Sequence, residues 1–215
     1  MTGGFSGGTE EGDVKAVRSV RRVHKSDRGI GEPCLPGFAV QRLDGLFFSI
    51  FPDRAAAVRT ANNAEHFRRA YGLMGAPLLT DRFHVSVQGL GNYDGLPRSI
   101  VAKAIEAGAA VTSRPFEVAF DRVASFAGSD ALVLCGGDGV DGIVMLHHAL
   151  GAAMRKSGLS AGSQLTPHIT LLYDGRRVEE QFIEPIRWTV RDFVLVHSLR
   201  GKTMHIPLER WRLGE

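Results

Sequence analysis

The 215-residue sequence contains little cysteine and no long hydrophobic run. Two cysteines, Cys34 and Cys135, are too few for a disulfide framework, so we expect reduced thiols in a cytoplasmic protein. No apolar run approaches the length of a membrane span, and the N-terminus lacks the apolar region of a signal peptide, so no membrane partner is expected. The net charge is only +3, which is compatible with an anionic substrate but far from the dense basic patches of a dedicated nucleic-acid binder. We expect a monomer.

Several catalytic and cofactor motifs are also missing. The sequence has no Gly-x-Ser-x-Gly elbow, which argues against a serine nucleophile. His147 and His148 are adjacent on a predicted helix and point about 100° apart, and no nearby carboxylate completes a metal triad, so no metal is predicted. Residues 137–142 match Gly-x-Gly-x-x-Gly, but the acidic residue expected about 20 positions later is missing, and the next strand is predicted to be antiparallel. We therefore predict a glycine-rich turn and no cofactor.

Two short stretches, residues 83–87 and 167–171, carry the same pattern in a strand-like context. Each contains a histidine, a β-branched residue, a small hydroxyl residue and a further apolar residue. Side chains alternate between the faces of a strand, so each histidine shares a face with its hydroxyl residue, while the apolar residues take the other face. The two polar faces carry His84 with Ser86 and His168 with Thr170.

This repeated pattern suggests two half-sites that face one cleft. Two imidazoles can supply a proton acceptor and a proton donor near neutral pH. Two hydroxyl groups can donate hydrogen bonds to the oxygens of an anion. The histidines lie 84 residues apart, which is the spacing of a duplicated lobe within one domain. The residues therefore favour phosphodiester chemistry without a metal.

The rest of the sequence predicts alternating strands and helices behind an N-terminal arm. Residues 1–43 are predicted to be a flexible arm whose basic run is either an RNA-contacting segment or a solvated tail. One helix is predicted after Asp53, which can cap it, and two others over residues 97–111 and 140–156. Strands are predicted over residues 46–51, 82–88, 116–126, 131–135, 166–173, 186–198 and 202–206, with a turn at 89–92 and a bulge at Arg191-Asp192.

The paired His-x-Ser/Thr motifs, the first strand at 46–51 and the closing segment at 185–198 occur in an order that resembles the two-histidine (2H) phosphoesterase superfamily. The closest resemblance is to its LigT-like branch of RNA 2′,3′-cyclic phosphodiesterases, also called 2′-5′ RNA ligases, and it covers about residues 46–213. The resemblance implies an α+β fold with two pseudo-symmetric lobes. Two antiparallel sheets would line a central cleft, with helices outside, in a single bilobal domain over residues 44–215.

The resemblance also implies an activity and its residues. A LigT-like enzyme would hydrolyse 2′,3′-cyclic phosphate ends of RNA, or cyclic nucleotides, to 2′-phosphates, with His84 and His168 catalytic and Ser86 and Thr170 binding the phosphate. Neither a metal nor a cofactor is implied, and which histidine is the base stays open. Tyr173 stands where many members have an arginine, and it is either a substrate contact or a rim residue. Two alternatives remain: a nucleotide- or RNA-binding module with the same fold, and 2′-5′ RNA ligation by the reverse reaction.

Overall fold

The computed structural model describes residues 43–126, 128–199, 202 and 204–214. These residues belong to one compact unit. Apart from Leu43, the predicted N-terminal arm lies outside the described residues, as does Cys34. The expected boundary between the arm and the bilobal domain therefore stays a prediction.

The described residues contain three helices and eight strands, and the last four of these elements are strands. None of these helices is long and apolar enough to cross a membrane. Short 3₁₀ turns cover Thr80–Arg82 and Asp138–Val140. The helices are α1 (Arg54–Ala70), α2 (Arg98–Ala109) and α3 (Asp141–Lys156). The strands are β1 (Asp44–Ile50), β2 (Val85–Tyr93), β3 (Phe116–Ser125), β4 (Ala131–Cys135), β5 (His168–Tyr173), β6 (Gln181–Val190), β7 (Asp192–Leu199) and β8 (Met204–Arg212).

The strands form two four-stranded antiparallel sheets, which confirms the predicted α+β class. The first sheet has the order β2-β1-β7-β8, and the second has the order β5-β4-β3-β6. The two strands that carry the His-x-Ser/Thr motifs, β2 and β5, are edge strands of different sheets and contact each other. This arrangement brings the two predicted half-sites together.

Helix α1 begins where the sequence predicts it. The Asp53 carboxylate accepts a hydrogen bond of 2.8 Å from the backbone N–H of Ala56, which is the expected N-cap. Apolar residues at helical spacing, including Ala64 and Phe67, are buried where the helix packs against β5 and β6. The helix ends before Gly72, whose φ of 58° lies in the left-handed region that glycine adopts easily.

The glycine-rich turn at residues 137–142 serves packing. A Cβ atom at Gly139 would lie only 2.8 Å from the carbonyl oxygen of Ala119 on β3, and one at Gly142 would overlap the ring of Phe116. These glycines therefore allow α3 and the turn before it to approach β3 closely. Strand β5 pairs with β4 in the antiparallel sense, so the parallel crossover of a dinucleotide site does not form.

The predicted turn at residues 89–92 is wrong. Strand β2 continues through this segment to Tyr93 and stays paired with β1. The register shift between Leu46 and Phe47 lies opposite Gly89 and Gly91, and it absorbs the irregularity that these glycines introduce. Gly91, with φ of 120°, adopts a conformation that other residues rarely reach. The glycines thus mark a bulge in a continuous strand.

The predicted long strand at 186–198 with a bulge is also wrong. It is two strands, because β6 ends at Val190 in the second sheet and β7 starts at Asp192 in the first. Trp188 and Val190 point into the core on one side of the break, and Phe193 does so on the other. Because the residues before and after the break are both apolar, the sequence looks like one strand. The slip in alternation at Arg191 instead marks the point where the chain passes from the second sheet to the first.

Candidate active site

His84 lies in extended backbone between the first 3₁₀ turn and β2. Its Nδ1 donates a hydrogen bond of 2.8 Å to the backbone carbonyl oxygen of Arg82. Because a carbonyl oxygen can only accept, this bond places the proton of the neutral imidazole on Nδ1. The other ring nitrogen, Nε2, is then the atom that can accept or deliver a proton.

His168, the first residue of β5, is held in the same way. Its Nδ1 donates to the backbone carbonyl oxygen of Thr166, also at 2.8 Å. In both motifs the acceptor is therefore the residue two positions before the histidine. His84 directly precedes β2 and His168 begins β5, and these two strands contact each other.

The hydroxyl residues lie on the same faces as their histidines. Ser86 and Thr170 are both half-buried. The alternate residues, Val85 and Val87 in β2 and Ile169 in β5, are fully buried in the core. Each motif strand therefore has one face that is polar and accessible and one that anchors it.

Aromatic rings surround His84 on several sides. The Phe47 ring stacks on His84 with centroids 5.3 Å apart, and the Phe51 ring lies at 6.2 Å. The ring of His205, on β8, meets His84 edge to face at 4.7 Å. This packing restricts the orientation of the imidazole.

His205 is a residue of the site that the sequence did not indicate. His205 and His197 lie in the same hairpin of β7 and β8, but His197 pairs with Ile206 and His205 with Ser198, so the two histidines point to opposite faces. His197 instead contacts the Asp44 carboxylate at 3.0 Å. Strand register alone would have placed His205 on the face that carries Phe47.

Burial and nearby positive charges lower the pKa values of His84 and His205. Burial lowers the pKa of His84. The hydrogen bond to the Arg82 carbonyl raises this pKa, but the charges of Arg82 and His168 lower it further, so that the pKa is lowered on balance. Burial, together with His84 and Arg82, lowers the pKa of His205 to about 4. The Nε and Nη1 atoms of Arg82 are buried and have no hydrogen-bond partner among the described residues.

His168 has different neighbours. The ring of Phe126, which follows β3, lies 4.5 Å from the His168 ring. Cys135 on β4 pairs directly opposite His168, and Arg122 on β3 pairs opposite Cys135. Cys135 is a free thiol whose pKa is raised by burial. The sequence placed Cys135 in an apolar strand and did not indicate its position beside the second motif.

A buried hydrogen-bond network joins β2, α3 and the segment before β5. The Gln88 amide nitrogen donates to the backbone carbonyls of His147 and Gly162, at 3.1 and 3.2 Å, and its oxygen accepts from the Gly162 N–H at 3.0 Å. The His147 ring donates from Nδ1 to the Val87 carbonyl at 2.7 Å. His147 is therefore a structural histidine that helps to fix the first motif strand relative to the second.

The structure also bears on metal binding and on the position of Tyr173. Across residues 43–126, 128–199, 202 and 204–214, no three histidine, cysteine or carboxylate side chains are grouped so that they could hold a metal ion. Tyr173 lies at the end of β5 and is 60% exposed.

Comparison with known families identifies the fold. The family model of the 2′-5′ RNA ligase superfamily matches residues 52–202, which is more than half of the chain. The chain belongs to this superfamily. This membership confirms the resemblance seen in the sequence and places the protein among phosphoesterases and RNA ligases.

Solved structures agree with membership in the 2′-5′ RNA ligase superfamily. The apo form of E. coli LigT matches with a TM-score of 0.63 and 26% identity, over 81% of this chain and 98% of LigT. E. coli LigT complexed with ATP matches with a TM-score of 0.59 and 25% identity, over 80% of this chain and 99% of LigT. The protein TT0787 of Thermus thermophilus shares the fold, with a TM-score of 0.63 at 20% identity, over 79% of this chain and 97% of that protein. No curated protein matches the sequence at a significant level.

Proposed function

We propose that this protein is a metal-independent phosphodiesterase that hydrolyses 2′,3′-cyclic phosphate ends of RNA, or cyclic nucleotides, to 2′-phosphates. The observation that supports this most directly is the matched geometry of the two motifs. His84, directly before β2, and His168, at the start of β5, each donate from Nδ1 to the carbonyl two residues earlier, at 2.8 Å, and β2 and β5 contact each other. Each imidazole is thereby fixed in the tautomer whose Nε2 can take part in proton transfer.

The reaction needs one proton acceptor and one proton donor. A water oxygen attacks the phosphorus while one Nε2 takes a proton from that water. The bond between phosphorus and the ribose 3′-oxygen breaks, and the second imidazolium gives its proton to that oxygen. The product is a 2′-phosphate, and the two histidines return to their starting states by proton exchange with solvent.

The surroundings of the two histidines support a division of these roles. Burial and the charges of Arg82 and His168 lower the pKa of His84, which favours its neutral form near neutral pH. A neutral imidazole is the form that accepts a proton, so we assign the base to His84 and the acid to His168. Environments that separate the protonation states of two groups are how one site supplies both an acid and a base.

The hydroxyl residues complete the site. Ser86 and Thr170 share a face with His84 and His168, respectively, and are partly accessible. Their hydroxyl groups would donate to the non-bridging phosphoryl oxygens, whose negative charge grows in the transition state. Nucleotides as substrates are consistent with E. coli LigT, which has been crystallised with ATP.

A direct assay tests this function. Protein dialysed against EDTA would be incubated with the four nucleoside 2′,3′-cyclic monophosphates and with an oligoribonucleotide ending in a cyclic phosphate. Phosphorus NMR would distinguish 2′- from 3′-phosphate products. A parallel reaction would add an oligonucleotide with a 5′-hydroxyl end, so that a joined product reports ligation.

We expect turnover to 2′-phosphates that survives chelation, because the two imidazoles perform the proton transfers that a metal-bound hydroxide would otherwise support. Activity that disappears with EDTA and returns with a divalent cation would contradict the metal-free mechanism. Formation of 3′-phosphates would contradict the assigned leaving group, and binding without turnover would favour a nucleotide-binding module.

A further inference from the structure

The side chain of Arg82 starts next to the first motif. The backbone carbonyl oxygen of Arg82 accepts the hydrogen bond of 2.8 Å from Nδ1 of His84. Phe83, between these two residues, has extended backbone, with φ of −67° and ψ of 123°, and is fully buried, as is Val85. Side chains alternate between the two sides of extended backbone, so those of Arg82, His84 and Ser86 leave the chain on the same side. The guanidinium therefore belongs to the polar side of the first motif.

The guanidinium of Arg82 has no counter-charge among the described residues. Its Nε and Nη1 atoms are buried and have no hydrogen-bond partner there, and even the carboxylate of the adjacent Asp81 does not pair with them. Arg82 as a whole is half-buried, so its side chain is not closed off from a ligand. Burial of a cation costs free energy that only a paired anion can offset. An anion that binds beside Arg82 would therefore gain more than one that binds beside an arginine already paired.

The arginine near the second motif is paired in this way. Arg122 on β3 lies opposite Cys135, which in turn lies opposite His168. Its guanidinium contacts the carboxylates of Asp121 and Glu180, at 3.3 and 3.4 Å. Of the two arginines, the one beside the first motif is therefore the one whose charge is available to an anionic substrate.

The positive charge of Arg82 acts on the rings of the first motif. It contributes to lowering the pKa of His84, after the effect of burial, and it contributes to lowering the pKa of His205. These two rings meet with their centroids 4.7 Å apart, so the guanidinium acts on one compact cluster. A guanidinium presents several N–H donors in a plane, an arrangement that matches two oxygens of a phosphate. Position and chemistry thus both suit a phosphate ligand.

We propose that Arg82 binds a phosphate group of the substrate beside His84. The inference rests on the proposed function, which supplies a ligand that carries phosphate. Two phosphates of an RNA end have the required chemistry: the cyclic phosphate itself, and the 5′-phosphate of the same nucleotide. In either case the phosphate supplies the counter-charge that no described residue provides, and the N–H donors of Arg82 gain an acceptor.

Calorimetry with adenosine 2′,5′-bisphosphate tests this binding without turnover. The ligand carries both a 2′- and a 5′-phosphate, so it reports on Arg82 whichever phosphate is bound. Arg82→Met removes the guanidinium but leaves the backbone carbonyl that holds His84. We expect binding to weaken at least about tenfold, through loss of hydrogen bonds between charged groups. The accompanying rise in the pKa of His84 favours anion binding, so it cannot produce this loss.

Further variants separate a specific contact from a general effect of charge. Arg82→Lys keeps the charge and should weaken binding less than Arg82→Met. Arg54→Met, at the exposed start of α1, is the matched control and should bind the ligand like the unmodified protein. Thermal melts would show that each variant folds, and Arg82→Gln replaces Arg82→Met if the latter does not. Equal affinity in the Arg82 variant and the unmodified protein would overturn the proposal, and so would equal losses in the Arg82 and Arg54 variants.

Two cyclic substrates identify the phosphate and separate this inference from the proposed function. Adenosine 2′,3′-cyclic phosphate would be assayed with and without a 5′-phosphate, at about pH 8, where a histidine is mostly neutral. If Arg82 binds the 5′-phosphate, the unmodified protein prefers the substrate that carries it, and Arg82→Met abolishes this preference. If Arg82 binds the cyclic phosphate, kcat/KM falls equally for both substrates.

Unchanged kcat/KM for both substrates in Arg82→Met would overturn the proposal. The unmodified protein might instead hydrolyse neither substrate while Arg82→Met still weakens binding of the bisphosphate. In that case the hydrolytic function fails and the phosphate site at Arg82 stands.

Discussion

His84 and His205 meet edge to face, with their ring centroids 4.7 Å apart. One lies beside the first motif strand and the other on the last strand, β8, so the contact forms only when the first sheet is assembled. His205 has an ordinary pKa of 6.5 that is lowered to about 4, chiefly by burial and then by the charges of His84 and Arg82. At neutral pH the His205 ring is therefore uncharged where it packs against His84, the proposed base.

This contact predicts a loss of stability in acid. Between about pH 6.5 and about pH 4 the unfolded state binds a proton at His205 that the native state does not, so the free energy of unfolding falls as the pH falls through this window. His205→Phe keeps a ring beside His84 but removes the titrating group. We expect urea unfolding to show a weaker pH dependence in this variant between pH 4 and 6.5. Parallel curves for the variant and the unmodified protein would contradict the account.

Arg82 provides a test of which histidine is the base. The base must be neutral, so kcat/KM rises as the pH rises through the pKa of His84. Arg82→Gln removes a positive charge that lowers this pKa, so the rising limb should move to higher pH, and activity at pH 6 relative to pH 8 should fall. The control is Arg54→Gln, at the exposed start of α1. If the rising limb of the pH dependence of kcat/KM lies at the same pH in Arg82→Gln as in the unmodified protein, His84 is not the base.

The motif hydroxyls give a third prediction. Thr170→Val keeps the shape and β preference of the side chain but removes the donor, so the growing charge on the phosphoryl oxygens loses a hydrogen bond. We expect a loss of ~2–4 kcal/mol in kcat/KM for a cyclic nucleotide, and a similar loss for Ser86→Ala. Ser86→Thr keeps the donor and should retain activity. Thermal melts would show that each variant folds, and an unchanged kcat/KM for Thr170→Val would make that hydroxyl structural.

The main features of the site could be predicted from local sequence. Alternation along a strand needs only a few residues, so the pairing of His84 with Ser86, and of His168 with Thr170, on polar faces could be read directly from the motifs. The N-cap at Asp53 is equally local. The two antiparallel sheets followed from the family resemblance, since no single strand specifies its partners.

Other features depend on contacts between distant segments. The sequence around Arg191 shows a slip in alternation, but only the pairing partners show that β6 and β7 belong to different sheets. His205 and Phe126 join the site through strand register and a hairpin end, neither of which leaves a motif in the sequence. The glycines at residues 89–92 have the composition of a turn, but pairing with β1 holds them in a strand.

The buried Gln88 network should couple stability to the arrangement of the motifs. Gln88→Leu would remove the hydrogen bonds that the buried Gln88 amide makes to the backbone of His147 and Gly162, and we expect the free energy of unfolding to fall by about 1–3 kcal/mol. Gln164→Leu, at an exposed position, is the matched control and should change stability little. Urea unfolding measures both. A Gln88→Leu protein as stable as the control would show that these bonds contribute no net stability.

The central claim is that His84 and His168 act as one acid–base unit. The most direct measurement is kcat for a cyclic nucleotide with His84→Ala, His168→Ala and the double variant, each confirmed as folded by circular dichroism. We expect each single variant to lose at least ~100-fold. The double variant should lose much less than the product of the two single losses, because removal of either partner already disables the unit. Near-normal turnover in either folded single variant, or fully multiplicative losses, would contradict the two-histidine mechanism.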